Sequence, residues 1–267
     1  MGHPQTWGRK KAAYLSRGPG LDLRGNRGFF PEEVSEAVKA ILALDTSTRT
    51  ASIAIHGREE GVVSELTWRS SSHHTVEVAP YLDLLLRQNL KELAGIAVAL
   101  GPGSFTGLRV GLSLAKGFAL AQGIPLIGIP TLDALACSQS HQPLPVCALL
   151  EAGRGRICAA LYEKVTLRRV TDYLLTTIEG LCSEITRPTL ICGEIDEVGT
   201  AILRKRLGDR AVVTSSAASL RRAGYLAELG WERLQRGEVD DPRTLEPLYL
   251  HRPEIPYVKY PEGKDGL

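Results

Sequence analysis

Three short segments in the first half of this 267-residue chain carry the side chains best suited to chemistry. The first is Asp45-Thr46-Ser47-Thr48, which follows an apolar run. A carboxylate followed by hydroxyls can hold a phosphate-bound metal ion or the oxygens of a nucleotide. The same residue types also form turns in which they satisfy one another. Asp45, Thr46 and Ser47 are therefore candidate nucleotide contacts, with a self-contained turn as the alternative.

The second segment contains His73, His74 and Glu77, whose side chains are potential metal ligands. His73 and Glu77 are four residues apart, so on a helix they share a face. Two ligands without a third seldom hold zinc or iron. We therefore expect these residues to be exposed near a helix start, and we expect no metal site.

The third segment, residues 98–111, breaks an apolar run with a glycine-rich turn and restarts as a helix. Gly101 and Gly103 allow backbone angles that other residues resist, and Ser104 or Thr106 can cap the helix that follows. Unpaired N–H groups at such a helix start can hold an anion or satisfy a loop. The spacing matches neither the dinucleotide fingerprint, nor the phosphate loop of NTPases, nor the Gly-x-Ser-x-Gly turn of serine hydrolases. No catalytic residue is predicted here.

Hydrophobic periodicity predicts the elements that position these segments. In the first half, three short strands are followed by a helix, a buried strand and a second helix, an order typical of a ribonuclease-H-like lobe. The predicted strands are 40–45, 50–56, 61–68, 95–100 and 126–129, and the predicted helices are 73–90, 107–122 and 132–138.

The second half repeats short strands and helices less regularly, with a variable tract between 163 and 188. Strands are predicted at 146–150, 156–163, 189–192 and 211–214, with a helix that ends at Leu207 and a long helix at 218–236. Residues 245–250 are predicted as an edge element that crosses between lobes. We therefore divide the chain into a disordered extension at 1–37, an N-terminal lobe at 38–140 and a smaller C-terminal lobe with its tail at 141–267.

Taken together, the three segments are similar to the TsaB family. The family pattern is Asp-Thr-Ser-Thr, then His-Ser-Glu-x-Leu-Leu-Pro, then Gly-Pro-Gly-Ser-Phe-Thr-Gly-Leu-Arg. In this chain the corresponding residues begin at Asp45, His74 and Gly101, and the match returns at 246–250. The chain departs from the family at Glu151-Ala152-Gly153, where Asp-Ala-Arg is usual, so a role tied to that arginine is not expected here.

The resemblance implies an α/β protein with the two-lobed actin/Hsp70/sugar-kinase fold, built on ribonuclease-H-like sheets. It also implies a non-catalytic subunit that pairs with the catalytic threonylcarbamoyl transferase, TsaD, and a small ATPase, TsaE, to form threonylcarbamoyladenosine beside the tRNA anticodon. A homodimer is expected when the partner is absent. No cofactor is expected for the chain alone, and ATP or ADP at a partner interface is left open. The alternative is a metal-dependent or ATP-hydrolysing enzyme of the same fold, similar to a glycoprotease.

Two helices carry the interface that the resemblance implies. Helix 73–90 has too many apolar residues to face a single sheet, so some of them require another partner. Helix 107–122 places small residues at a spacing of four, a stripe that permits close helix approach. The alternative is that both helices pack on each other within one lobe. The predicted interface residues are Val76, Tyr81, Leu85, Gly107, Gly111, Ala115 and Ala119.

Charge and composition restrict the binding partners and the cellular location that we expect for this protein. The net charge is +2, but residues 1–30 contribute +5, so the rest of the chain is mildly acidic and has no obvious footprint for nucleic acid. Contact with tRNA is thus expected to be indirect. The five cysteines are widely spaced among apolar residues, as in reduced core positions of a cytosolic protein. Since no apolar run reaches a membrane span, we expect a cytoplasmic protein without membrane contact.

Overall fold

The computed structural model describes residues 39–71, 74–88 and 92–250. The predicted extension at 1–37 lies outside the described residues. No helix among those described is long and apolar enough to cross a membrane.

The first sheet forms because β1 and its neighbours alternate apolar side chains between two faces. Leu42 and Leu44 point to one face, whereas Ile41 and Ala43 point to the other, and all four are fully buried. β1 pairs antiparallel with β2 and parallel with β4, so the strand order is β3-β2-β1-β4-β5. The strands are β1 (Ala40–Asp45), β2 (Thr50–Gly57), β3 (Gly61–Arg69), β4 (Leu93–Gly101) and β5 (Leu126–Pro130).

The second sheet has the same plan. Its first strand pairs antiparallel with the next and parallel with the fourth, so the order β8-β7-β6-β9-β10 repeats that of the first sheet. The duplication is visible in the topology although the sequence contains no recognisable repeat. The strands are β6 (Val146–Gly153), β7 (Arg156–Tyr162), β8 (Leu174–Thr176), β9 (Thr189–Gly193) and β10 (Ala211–Val213).

Helices cover both faces of each sheet within the described residues. On the first sheet, α1 and α2 pack against the Leu42 face. On the second sheet, α4 and α5 pack against the face that contains Leu149. The helices are α1 (His74–Gln88), α2 (Phe105–Gln122), α3 (Thr131–Cys137), α4 (Ile178–Glu184), α5 (Glu197–Leu207) and α6 (Ala223–Gln235), with a 3₁₀ turn at Gly208–Arg210.

The covering of the first sheet corrects the division between the lobes at residue 140. α6 follows the second sheet in sequence, yet its Ala223, Leu226 and Ala227 pack on the Ile41 face of the first sheet. α3 was assigned to the N-terminal lobe, but its Leu132 and Leu135 pack on the second sheet. The sequence boundary was placed by element order, whereas the hydrophobic contacts cross it twice.

Two further segments differ from the predictions. The tract at 163–188 contains β8 and α4, which the irregular pattern did not indicate. Residues 245–250 form no strand, although Leu245 joins the core of the first sheet and the Leu248 N–H donates to Leu100 O at 2.7 Å. The predicted α/β fold class with two ribonuclease-H-like sheets is confirmed.

Candidate functional site

The loop after β1 is closed by its own hydrogen bonds. Asp45 Oδ1 accepts from Ser47 N at 2.9 Å and from Ser47 Oγ at 2.6 Å. Thr46 Oγ1 donates to Gly107 O at 2.7 Å, which ties the loop to the first turn of α2. The three side chains predicted to contact nucleotide are therefore buried and already engaged.

The second carboxylate oxygen of Asp45 binds Arg221, which lies just before α6. Arg221 Nε donates to Asp45 Oδ2 at 2.7 Å, and both side chains are only 3% exposed. Arg221 Nη2 donates to Thr48 Oγ1 at 2.6 Å and to Thr50 O at 2.9 Å. A nucleotide can reach Asp45 in this position only after the guanidinium withdraws, so nucleotide contact stays a prediction.

Glu194 extends this network into the second lobe. Its Oε1 atom accepts from Arg221 Nη1 at 3.3 Å and from Thr48 Oγ1 at 2.6 Å, while Oε2 accepts from Glu151 N at 3.3 Å. Burial of Arg221 acts to lower its pKa, but the charges of Asp45 and Glu194 outweigh that effect and raise it. The network thus holds a permanent cation between the two lobes.

An open polar cleft of about 560 Å³ lies beside this network. Arg69 at the end of β3 lines one part of it, and Arg204 and Thr200 on α5 line another.

The sequence analysis predicted neither Arg221 nor Glu194 as a site residue. Since Arg221 is 176 residues from Asp45, no local spacing signals the pair.

The glycine-rich loop fits tightly against the loop after β1. Ser104 N donates to Ser47 O at 2.6 Å, and Ser104 Oγ caps α2 by accepting from Gly107 N, as predicted. A Cβ atom on Gly107 would clash with Thr46 O, and one on Gly111 would clash with Thr46 Oγ1. Both glycines are required because the backbone of α2 approaches this loop so closely.

This packing corrects the predicted interface stripe. Gly107 and Gly111 face the loop after β1, and Ala115 and Ala119 lie in the core of the first sheet. Leu85 on α1 also belongs to that core. The prediction that these five residues meet another subunit is wrong, because the small residues admit the chain's own sheet and loop rather than a partner helix.

The outward sides of α1 and α2 carry exposed apolar side chains. Val76 is 66% exposed, Leu84 is 45% exposed and Tyr81 is 38% exposed on α1, and Leu120 is 64% exposed on α2. We call this surface the α1/α2 face. A groove of about 620 Å³ runs between the helices and is lined by Val78, Ala79, Phe105, Thr106, Arg109, Val110, Ser113 and Leu114.

Glu77 makes hydrogen bonds at the start of α1. Its carboxylate accepts from Trp68 Nε1 at 3.0 Å and from Ser71 Oγ at 3.2 Å, which joins the start of α1 to the end of β3. Within the ranges that the structure describes, no group of three His, Cys, Asp or Glu side chains is placed to bind a metal ion. His73 and the side chain of His74 lie outside the described residues.

The departure at Glu151-Ala152-Gly153 lies where β6 turns into β7. Gly153 has φ of 71°, in the left-handed region that favours glycine, and an added Cβ would meet open space.

The cysteines are free, and burial raises the pKa of Cys147 to about 12, which disfavours the nucleophilic thiolate.

Comparison with known proteins identifies the family to which the chain is related. The family model described as "TsaD: tRNA N6-adenosine threonylcarbamoyltransferase" matches residues 46–257. The tRNA threonylcarbamoyladenosine biosynthesis protein TsaB of Bacillus subtilis is 31% identical over 80% of this chain and 95% of its own length. The TsaB protein of Haemophilus influenzae is 28% identical over 83% of this chain and 97% of its own length.

A solved structure agrees with these relatives. The crystal structure of an uncharacterized Pseudomonas aeruginosa protein with similarity to peptidase YEAZ superposes with a TM-score of 0.66 at 25% identity, covering 80% of this chain and all of that one. The sequence matches and the shared fold extend over both lobes. The chain therefore belongs to the TsaB family, within the wider family of the matching model.

Proposed function

We propose that this protein is a non-catalytic subunit in the biosynthesis of threonylcarbamoyladenosine, the modified adenosine beside the tRNA anticodon. It pairs through the α1/α2 face with the catalytic threonylcarbamoyl transferase, TsaD, and works with the small ATPase, TsaE. The same face forms a homodimer when the transferase is absent. Contact with tRNA is indirect, through the transferase.

The observation that carries this proposal is the exposed apolar surface of the α1/α2 face. Val76, Tyr81, Leu84 and Leu120 project away from the core of the first sheet. An apolar surface next to a groove favours a protein partner. Because the matching family model is that of the transferase, a subunit with a similar lobe is a natural partner for this face.

The Asp45–Arg221 pair supports the non-catalytic part of the proposal. In the fold class that this chain resembles, a carboxylate at the end of the first strand can hold a phosphate-bound metal ion. Here its two oxygens are taken by Ser47 and Arg221. ATP or ADP would accordingly act at a partner or at the interface with it.

The proposal is tested by disrupting the α1/α2 face at Leu84. Leu84→Glu places a charge where an apolar contact is expected, and burying that charge should weaken binding of purified transferase by about a hundredfold or more. Val198→Glu is the matched control, because Val198 is also an exposed aliphatic residue on a helix but lies in the second lobe. Calorimetric titration and thermal unfolding separate loss of binding from loss of folding.

A cellular assay completes the test. In a strain without its own subunit, wild type and Val198→Glu should restore threonylcarbamoyladenosine in digested tRNA, measured by mass spectrometry, whereas Leu84→Glu should not. Equal restoration by all three would contradict pairing through this face. ATP hydrolysis or peptide cleavage by the purified protein alone, abolished by Asp45→Ala, would contradict the non-catalytic role and favour the enzyme alternative.

A further inference from the structure

Arg109 on α2 is held in one orientation by two aromatic rings. Its guanidinium carbon lies 3.9 Å from the centroid of the Phe105 ring, one helical turn earlier. Its Nε donates to Tyr249 Oη at 3.2 Å, and the Phe105 and Tyr249 rings lie 5.2 Å apart. A cation stacked on an aromatic face and fixed by a hydrogen bond loses little conformational entropy on binding.

The charge of Arg109 has no acidic partner among the residues that the structure describes. Other exposed arginines do have one: Arg87 binds Asp83 at 2.8 Å, and Arg236 binds Glu238 at 2.7 Å. Since Nε is the Arg109 atom that donates to Tyr249, its two terminal Nη groups remain available to a ligand. Such a paired arrangement of N–H groups matches the two oxygens of a carboxylate.

Arg109 also lines the groove between α1 and α2. The other lining residues include Val78, Ala79, Val110 and Leu114, so the cation stands among apolar side chains. Binding of nucleic acid through phosphates usually needs several cations, and the described lining of this groove contains one. A single guanidinium in an apolar groove instead suits a protein segment that presents one carboxylate beside apolar side chains.

We propose that Arg109 is a partner-recognition residue: it binds an Asp or Glu side chain that the transferase subunit presents to the groove, and Phe105 and Tyr249 position it. This inference rests on the proposed function, because it assigns the partner of the same face. It adds that charge, as well as apolar contact, selects that partner. It also assigns the segment that contains Tyr249 a place in the interface.

The test compares four variants in titrations with purified transferase at low and high salt. Arg109→Gln removes the charge and should weaken binding by about 10- to 100-fold, with a smaller salt dependence than wild type. Arg109→Lys keeps the charge without the paired geometry and should weaken binding less. Tyr249→Phe keeps the ring and removes the hydrogen bond, so a loss of a few fold is expected. Arg236→Gln, which removes an exposed arginine just after α6, should bind like wild type.

The outcomes separate this inference from the proposed function. If wild type does not bind the transferase, the proposed function and this inference both fail. If wild type binds, Leu84→Glu does not, and Arg109→Gln binds within twofold of wild type with the same salt dependence, the inference fails while the function stands. Weakened self-association of Arg109→Gln in ultracentrifugation, with unchanged transferase binding, would assign the groove to a second copy and overturn the proposal.

Discussion

At the scale of single residues, the most consequential contact is the buried pair of Arg221 and Asp45. Removing a charge from water is costly, and the pair recovers that cost only because each of the two side chains also has further hydrogen-bond partners. Ser47 donates a hydrogen bond to the other carboxylate oxygen of Asp45. Thr48, Thr50 and Glu194 accept hydrogen bonds from the Arg221 guanidinium. The carboxylate of Asp45 thus holds the loop after β1 and an internal cation in this structure.

We expect Arg221→Met to lower the free energy of unfolding by about 3–5 kcal/mol, because it leaves the Asp45 carboxylate buried without its counter-ion. Arg87→Met is the matched control. Arg87 pairs with Asp83 at the surface, where the two side chains are 78% and 60% exposed, so its loss should cost about 1 kcal/mol or less. Urea unfolding of both variants measures the difference. Similar losses for the two would contradict the structural role assigned to Arg221.

At the scale of elements, one side of α2 packs inside the first lobe and the other side faces outward. Its small residues let the backbone approach the loop after β1, and its outward side contributes Arg109 and Leu120 to the α1/α2 face. A bulky residue at Gly111 would therefore act on folding, and not on the partner directly. Its test belongs to stability measurements.

Two glycines of α2 provide a matched pair of substitutions. Gly111→Ala should lower the free energy of unfolding by about 1–3 kcal/mol, because the new methyl group meets Thr46 Oγ1, whose hydroxyl is held by Gly107 O. Gly117→Ala meets open space in the same helix and should raise it by up to about 1 kcal/mol through helix propensity. Thermal and urea unfolding measure the change in the free energy of unfolding for both variants. A destabilised Gly117→Ala beside a neutral Gly111→Ala would reverse the assignment of the two sides.

At the scale of the whole molecule, each sheet is covered in part by a helix from the other half of the chain. α6 returns from the second sheet to cover one face of the first, and α3 packs on the second sheet while Ala134 joins the core under α6. The Glu194 network adds polar contacts between the lobes. Neither sheet therefore has a complete core within one continuous half of the chain.

The shared core predicts that the fragment 38–140 does not fold alone. Without α6, it exposes the face that contains Ile41, Ala43 and Ile127. We expect the fragment to bind a hydrophobic dye and to unfold without a cooperative transition, whereas the full chain unfolds cooperatively. Circular dichroism in the near ultraviolet and calorimetry compare the two. A sharp calorimetric transition in the fragment would show that its core is sufficient.

Much of this arrangement is encoded locally. The continuous apolar run at Ala40–Asp45 predicts a strand that is buried on both faces, and the alternation within Thr50–Gly57 predicts the next strand. Ser104 and the glycines before it predict the start of α2, because capping and left-handed angles depend on adjacent residues. The excess of apolar residues on α1 likewise predicts an exposed apolar surface, which the structure contains at Val76 and Leu84.

By itself, then, the sequence determined the order of the elements in the first half of the chain, the two-lobed α/β class and the presence of an apolar surface on the first lobe. Tertiary structure alone decided which side of α2 meets the sheet, since periodicity groups Gly111 with Ala115 without saying what lies opposite them. It also decided that Asp45 binds Arg221, and that α6 completes the first sheet. The physical reason is that local spacing constrains only neighbouring residues, whereas these contacts join residues that are far apart in the chain.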